Sequence, residues 1–346
     1  MIRIAWIGIV CLLFVSCTFH PVGRKFIQID VWYGDAQSFG RPGHPQRWIN
    51  ILGNVSGMEN ITATYAIINK RDTLQLSLGQ DCCRLARDGD FNIDIPRKLL
   101  FVGKNRVDII VQDRENNVII RKVKLSYHDG HTWPLPYEIR WADVESIQHV
   151  ADIMDGKWTL TPHGVRTVEP YYDRILTFGD SSWTDYEIQT TIIFHDFTPP
   201  TPGPPTYNVS HAAIALRFPG HDKDDFQPHR KWYPLGATGE FCLRAPLDSC
   251  HWRIFDGENF HVDNRKSGKI RAIDLNTVYG MKHRVETLTD ERTRYSAKLW
   301  LMGEAEPEEW DITATEPPGD YFGGAALLIA HNTDVTFGDV SAIPLP

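Results

Sequence analysis

Several things are missing from this 346-residue chain, and each absence removes a class of function. There is no Gly-x-Ser-x-Gly elbow and no Gly-rich phosphate loop, so serine-hydrolase and nucleotide chemistry find no support. No Cys-x-x-Cys pair with histidine partners occurs, which sets aside a zinc-finger type of structural site. Positive charge is in deficit, with 36 Lys and Arg against 44 Asp and Glu and a net charge of −8, which disfavours nucleic acid as a partner. Long apolar runs are lacking too, apart from Ile4 to Val15 at the N-terminus. What is present is a hydrophobic content of 42% with 11% aromatics, enough for a real core and too much for extended disorder.

The N-terminal run is too short for a bilayer span of about 20 residues and fits the h-region of a secretory signal. Arg3 precedes it, and Phe14-Val15-Ser16-Cys17 closes it. That ending resembles the lipobox of bacterial lipoproteins, although Phe14 stands where Leu is usual. The resemblance implies a signal peptide over residues 1–17, acylation of Cys17, and a membrane link through that lipid alone. By analogy with lipoprotein sorting, Thr18 rather than Asp after the cysteine favours the outer membrane of a Gram-negative envelope. In an oxidising compartment Cys242 and Cys250, eight apart across a turn-like insert, suit a disulfide clipping a hairpin. Adjacent Cys82 and Cys83 are read as two thiols, since a bridge between neighbours is strained.

Residues 18–45 read as a tether. Phe26 to Tyr33 offers one strand, and Gly34 to Pro45 is Gly/Pro/Ser-rich. From Gln46 short alternating runs follow at regular spacing, including Trp48 to Val55, Thr62 to Ile68, Phe91 to Ile95, Arg106 to Asp113 and Val118 to Leu125. Six or so strands with Gly/Asn/Asp turns indicate a small β-sandwich over 46–129. The phrases "GNVSG", "DGDFNIDIP" and "GKNRVDIIVQDRENNV" resemble, in their order, the immunoglobulin-like modules of exported bacterial proteins.

The Pro-rich joint Trp133 to Tyr137 opens a second unit, 133–346. One short helix is expected over Glu145 to Ile153; the rest is strand-like with long loops, and a jelly-roll sandwich is the natural architecture. The phrases "WTDYEIQTTI", "AAIALRFPGH" and "GGAALLIAHNTDVTFGDVSAIPL" resemble the concanavalin A-like lectin/glucanase sandwich, laminin G-like and 3-keto-disaccharide hydrolase-like domains included, over about residues 155 to 345. The resemblance concerns the fold, and activity does not follow from it. A laminarinase-type member would carry a Glu-x-Asp-x-Glu strand, its carboxylates on one face by strand alternation. None occurs; Asp185-Tyr186-Glu187 is the nearest pairing, read as a turn cap and a solvent-facing carboxylate.

The residues left for ligand contact are polar groups in unusual places. Arg217 sits inside an otherwise apolar strand, where an arginine must be paired or line a cavity. With His221 it is the first ligand-contact candidate. Arg166, Glu169, Asp173 and Arg174 form either a hydrogen-bonding patch for sugar hydroxyls or an internal salt-bridge network. Trp232 and Tyr233 either stack on a sugar ring or anchor their loop. The run His221 to Asp225 offers oxygens for Ca2+ but lacks the EF-hand pattern and reads as a solvated acidic loop, so no cofactor is required and calcium stays open. The expectation is therefore an all-β, lipid-anchored envelope protein: an immunoglobulin-like β-sandwich followed by a concanavalin A-like jelly roll. The latter binds carbohydrate through Arg166, Glu169, Arg217, His221, Trp232 and Tyr233, without catalysis. The alternatives are a glycoside-cleaving enzyme of the 3-keto-disaccharide type and a structural or adhesive surface protein.

Overall fold

Alternation of apolar and polar side chains along short runs builds strands almost throughout, and the chain is all-β. A computed structural model of the protein describes residues 26–81, 83–198, 209–220, 236–256 and 265–346. The first eight strands are β1 (Gln28–Val31), β2 (Ala36–Phe39), β3 (Trp48–Ser56), β4 (Ile61–Ile68), β5 (Asp72–Gln75), β6 (Asp90–Pro96), β7 (Gly103–Asp113) and β8 (Val118–Tyr127). They form a three-stranded sheet, β1-β3-β6, and a five-stranded sheet, β2-β8-β7-β4-β5. One cluster packed from both sheets, with Ile51, Val55, Phe91, Ile93, Ile109 and Val123 fully or almost fully buried, makes this a small β-sandwich.

Fifteen more strands follow: β9 (Tyr137–Ile139), β10 (Asp152–Asp155), β11 (Trp158–Thr161), β12 (Gly164–Thr167), β13 (Arg174–Phe178), β14 (Tyr186–Phe197), β15 (His211–Phe218), β16 (Ala237–Cys242), β17 (Cys250–Asp256), β18 (Arg265–Arg271), β19 (Val278–Thr287), β20 (Thr293–Leu301), β21 (Ile312–Glu316), β22 (Ala325–His331) and β23 (Thr333–Pro344). They make a second, larger sandwich. One sheet runs β10-β13-β22-β15-β16-β17-β18; the other runs β11-β12-β23-β14-β19-β20-β21, with β9 paired to β23. Between them lies a core that includes Ile188, Phe194, Ile214, Phe241, Trp252, Leu328 and Phe337. Among the described residues no helix is long and apolar enough to cross a membrane.

The two sheets of the larger sandwich differ in their outer faces. In β14 buried and half-buried residues alternate, so the eight-stranded sheet is dry on one side only. In β15 every residue from His211 to Phe218 is buried, so the seven-stranded sheet is covered on both sides there. Ala213, Ala215, Ile175, Leu327 and Ile329 form a second cluster on its outer face, which Cys83 of the small sandwich and Tyr172 join.

The two sandwiches meet through buried charge. Arg84 donates from Nε to Asp155 Oδ2 at 2.7 Å and from both Nη atoms to Asp94. Asn92 bonds the Met154 carbonyl, Arg174 donates to the carbonyls of Cys83 and Arg84, and Gln148 bonds Gln37. Breaking one side of such a buried pair leaves an uncompensated charge, which costs about 3–5 kcal/mol.

Three local expectations change. Part of the segment expected as tether is sandwich: β1 and β2 pair with β3 and β8, because Ile29, Val31 and Phe39 are apolar enough to be buried. The helix expected over Glu145 to Ile153 is a single 3-10 turn, Ile147–His149, followed by β10. Nine residues with Val and Ile at three positions give too little helical propensity to outweigh sheet pairing. Glu187 does not face solvent but takes Arg284 and Lys282 as ion-pair partners.

Candidate functional site

Arg217 is committed inside the protein. It lies at a bulge in β15, where pairing with β22 shifts between Ala215 and Phe218, and its φ of 55° is left-handed. That conformation turns the guanidinium to where all five of its N–H groups are used. Nε donates to Thr184 O, Nη1 to Thr293 Oγ1 and Tyr321 O, and Nη2 to Asp185 Oδ1 and Thr287 Oγ1. At 1% exposure it has no donor left for a ligand and cross-links the end of the sandwich instead. Asp185 shares in that lock, accepting from the Thr287 N–H as well.

Arg166 and Glu169 are not brought together. Arg166 forms a two-pronged bond to Asp334, at 2.9 and 2.7 Å, on the eight-stranded sheet. Glu169 meets Arg87 of the small sandwich, and burial, then Asp90, raises its carboxyl pKa against that arginine. His221, Trp232, Tyr233, Cys17 and the acidic run from His221 to Asp225 lie outside the described residues. Cys242 and Cys250 are not bridged. The reason is register: Cys242 pairs with His251, so Cys250, one residue away, points to the opposite face, into the inter-sheet core. Cys83, expected as a thiol, is disulfide-bonded.

The structure assembles a different set, on the outer face of the seven-stranded sheet. Residues directly opposite in an antiparallel ladder share a face, and the register sets His331, His211, Cys242 and His251 in one row across β22, β15, β16 and β17. The next row on that face holds Ile329, Ala213, Glu240 and Arg253. Asp173, just before β13, adds a carboxylate at the far end, its Oδ1 2.7 Å from His331 Nδ1. The two imidazoles of His211 and His331 stack with centroids 4.6 Å apart and planes 5° from parallel. His211 donates from Nδ1 to the Val209 carbonyl at 2.9 Å, which leaves Nε2 as the lone-pair nitrogen, 3.7 Å from Glu240 Oε1. Arg253 holds the other Glu240 oxygen, Nε to Oε2 at 2.6 Å.

The electrostatics follow from burial. Burial lowers the His211 pKa to about 4, with Glu240 opposing, so this ring is neutral at pH 7. For Asp173, burial pushes upward, but His331, His211 and Arg174 together hold the carboxyl below its ordinary value. Burial also works against the Arg253 cation, and the Glu240 carboxylate more than restores it. At the opposite end of the row His251 lines a cavity of about 350 Å3 together with Trp252, Lys269, Arg271 and Asp311. Trp252 donates its indole N–H to Asp311 at 3.2 Å, and Lys269 and Arg271 approach the same carboxylate. The set thus offers two imidazoles, two carboxylates and a cation in two neighbouring rows, beside the small Ala213.

Of these residues the sequence reading singled out Asp173, in a polar patch, and Cys242, as half of a disulfide. A signal for the others existed: His211 and His331 stand at the ends of apolar runs, and Glu240 and Arg253 interrupt apolar strands as Arg217 does. What was missing was the register that puts them in adjacent rows.

No protein-family model matches the chain, and no curated protein matches it. Among solved structures it is similar to a xylan β-1,4-xylosidase from Bacillus halodurans, at 10% identity over 90% of this chain, with a TM-score of 0.39. This chain spans 56% of that xylosidase. It is also similar to an endo-acting O-glycanase of the human gut microbiota, at 8% identity over 61% of this chain and 99% of the other, TM-score 0.39. A third is the Ca2+-bound exoplasmic/lumenal domain of VIP36, at 13% identity, 57% and 84% coverage, and TM-score 0.35. Likeness at this level says nothing of what the present chain binds.

Proposed function

We propose that the protein binds carbohydrate at the cavity beside His251, where the row on the outer face of its seven-stranded sheet ends. One observation carries this reading: a row of hydrogen-bonding groups runs across neighbouring strands to a cavity of about 350 Å3 walled by His251, Lys269, Arg271 and Asp311 together with the core residue Trp252. Sugar hydroxyls ask for donors and acceptors together, and Lys269, Arg271 and Asp311 supply both. The sequence resemblance to concanavalin A-like sandwiches agrees with it. Trp232, Tyr233 and His221 belong to the same proposal as stacking and rim residues. Export by the leader, a lipid on Cys17 and a place in the cell envelope complete it, with Ca2+ at the His221 to Asp225 run as an optional ligand. A glycan array with protein from residue 18 onward, run with calcium and with chelator, tests it. Binding to a defined glycan is expected, and a blank under both conditions contradicts it.

The Asp173–His331 pair favours a second reading, cleavage of a glycosidic bond with the imidazole moving a proton and the carboxylate orienting it. Turnover of an oligosaccharide that disappears in His331→Ala supports this reading; binding without turnover retains the first.

A further inference from the structure

The first three residues of the row make more than a hydrogen-bonding surface. Asp173, His211 and His331 each offer a donor atom within 4.8 Å of the other two, and all three are buried. They come from the segment before β13, the first residue of β15 and the last residue of β22, and β22 lies between β13 and β15 in the sheet. Because strands set their backbones, their spacing is fixed by ladder pairing rather than by a loop. We propose that these three residues form a site for a borderline-soft divalent cation of the zinc type.

Four features of the geometry support the assignment. His211 is locked in one tautomer by its Nδ1 bond to the Val209 carbonyl, the outer contact that orients metal-binding imidazoles, which leaves Nε2 as its donor atom. His331 and Asp173 already face each other across a 2.7 Å hydrogen bond whose shared proton a cation displaces as the two part. All three residues are buried, where a carboxylate away from water is stabilised by a neighbouring cation. Glu240, 3.7 Å from His211 Nε2 and tied down by Arg253, adds a further carboxylate beside the donor atoms. A zinc ion with ligands at about 2.0–2.1 Å keeps them about 3.4 Å apart, so closing the set from separations of up to 4.8 Å also turns one imidazole out of the parallel stack.

The donor set also selects the ion. Two imidazole nitrogens and one carboxylate suit zinc and its neighbours, whereas calcium asks for six to eight oxygens. The site is therefore distinct in chemistry and place from the acidic run at His221 to Asp225. Three protein ligands leave a zinc ion a further position for water or a ligand oxygen. That a sugar hydroxyl takes this position rests on the carbohydrate reading above; the metal site itself does not.

Titration of the chelator-stripped full chain with Co2+ tests the assignment. One equivalent is expected to give the visible d–d absorption of a low-coordinate site, lost on adding Zn2+ and unaffected by excess Ca2+ or Mg2+. His211→Ala and His331→Ala are each expected to weaken Co2+ binding at least tenfold, with circular dichroism reporting that each variant is folded. No d–d absorption in the wild-type protein overturns the proposal, and this result needs no variant. A thiolate charge-transfer band overturns it too, because Cys242 would then be a ligand. Absorption unchanged in both histidine variants does the same. Glycan affinity that is equal with and without bound zinc removes the sugar from the open position and leaves the metal site standing.

Discussion

Arg217 and Glu240 are both charged residues inside apolar strands of the same sheet, on adjacent strands β15 and β16, and their fates are opposite. Arg217 spends all five donors on neighbours fixed by other elements and closes one end of the sandwich. Glu240 meets Arg253 across the ladder and looks toward His211, in a row whose partners are themselves titratable or ligand-competent. A buried charge is therefore not by itself a mark of function. What separates the two is whether the surrounding groups are saturated by backbone and hydroxyl partners or remain a chain of side chains able to exchange a partner.

The comparison can be broken from the Arg217 side first, where the effect is largest. Arg217→Ala leaves Asp185 and a set of hydroxyl and carbonyl groups unpaired in the interior, and is expected to lower stability by about 3–5 kcal/mol in chemical unfolding. Glycan affinity of the folded fraction should not change. Loss of affinity in a fully folded Arg217 variant would return this residue to the binding site.

A buried histidine with no row around it supplies the next test. His283 lies in the core between the sheets, donates from Nδ1 to the Ile214 carbonyl, and has no partner at Nε2. Burial holds its pKa down at about 4, so between roughly pH 6.5 and 4 the unfolded chain takes up a proton that the folded one refuses. Its contribution to stability is intact above pH 6.5 and declines as pH falls, by about 3 kcal/mol at pH 4. Asp152, which burial raises to about 7, has the opposite sign and loses stability as pH rises from 3.8 to 7. Unfolding free energies of the wild type and His283→Leu should therefore diverge on acidification in favour of the variant, whatever Asp152 does to both. Parallel curves would show that the ring is not held neutral.

Smaller effects belong to the row and to the surface. Glu240→Gln keeps the shape but weakens the charge-assisted bond to Arg253, with an expected stability loss of about 1–3 kcal/mol and at least tenfold weaker glycan binding. Arg166→Ala removes a bridge to Asp334 at a half-exposed site and should change stability by about 0–1 kcal/mol, with no effect on glycan binding. Affinity that follows Arg166 rather than Glu240 would move the site to the other sheet.

How much of this was legible follows from the physics of strands. Alternation along β7 and β14 and the turn residues between strands were enough to read an all-β sandwich architecture, because period two is written locally. The rule that a charge inside an apolar strand needs a partner correctly marked Arg217 as paired or cavity-lining, yet could not say which. That choice depends on the bulge at Arg217 and on which strand lies beside which. Likewise, Cys242 and Cys250 looked bridgeable by spacing, but a one-residue offset in register put them on opposite faces. The row from Asp173 to His251 is built from five separate segments, and only the strand order β13-β22-β15-β16-β17 brings them into line. Nothing local encodes that order.

The central claim is that glycan is recognised on the seven-stranded face, and paired glycan arrays of wild-type protein and Glu240→Gln test it most directly. The account predicts a defined glycan bound by the wild type and lost from the folded Glu240→Gln variant. A glycan held equally by both proteins, or none held by either, would contradict it.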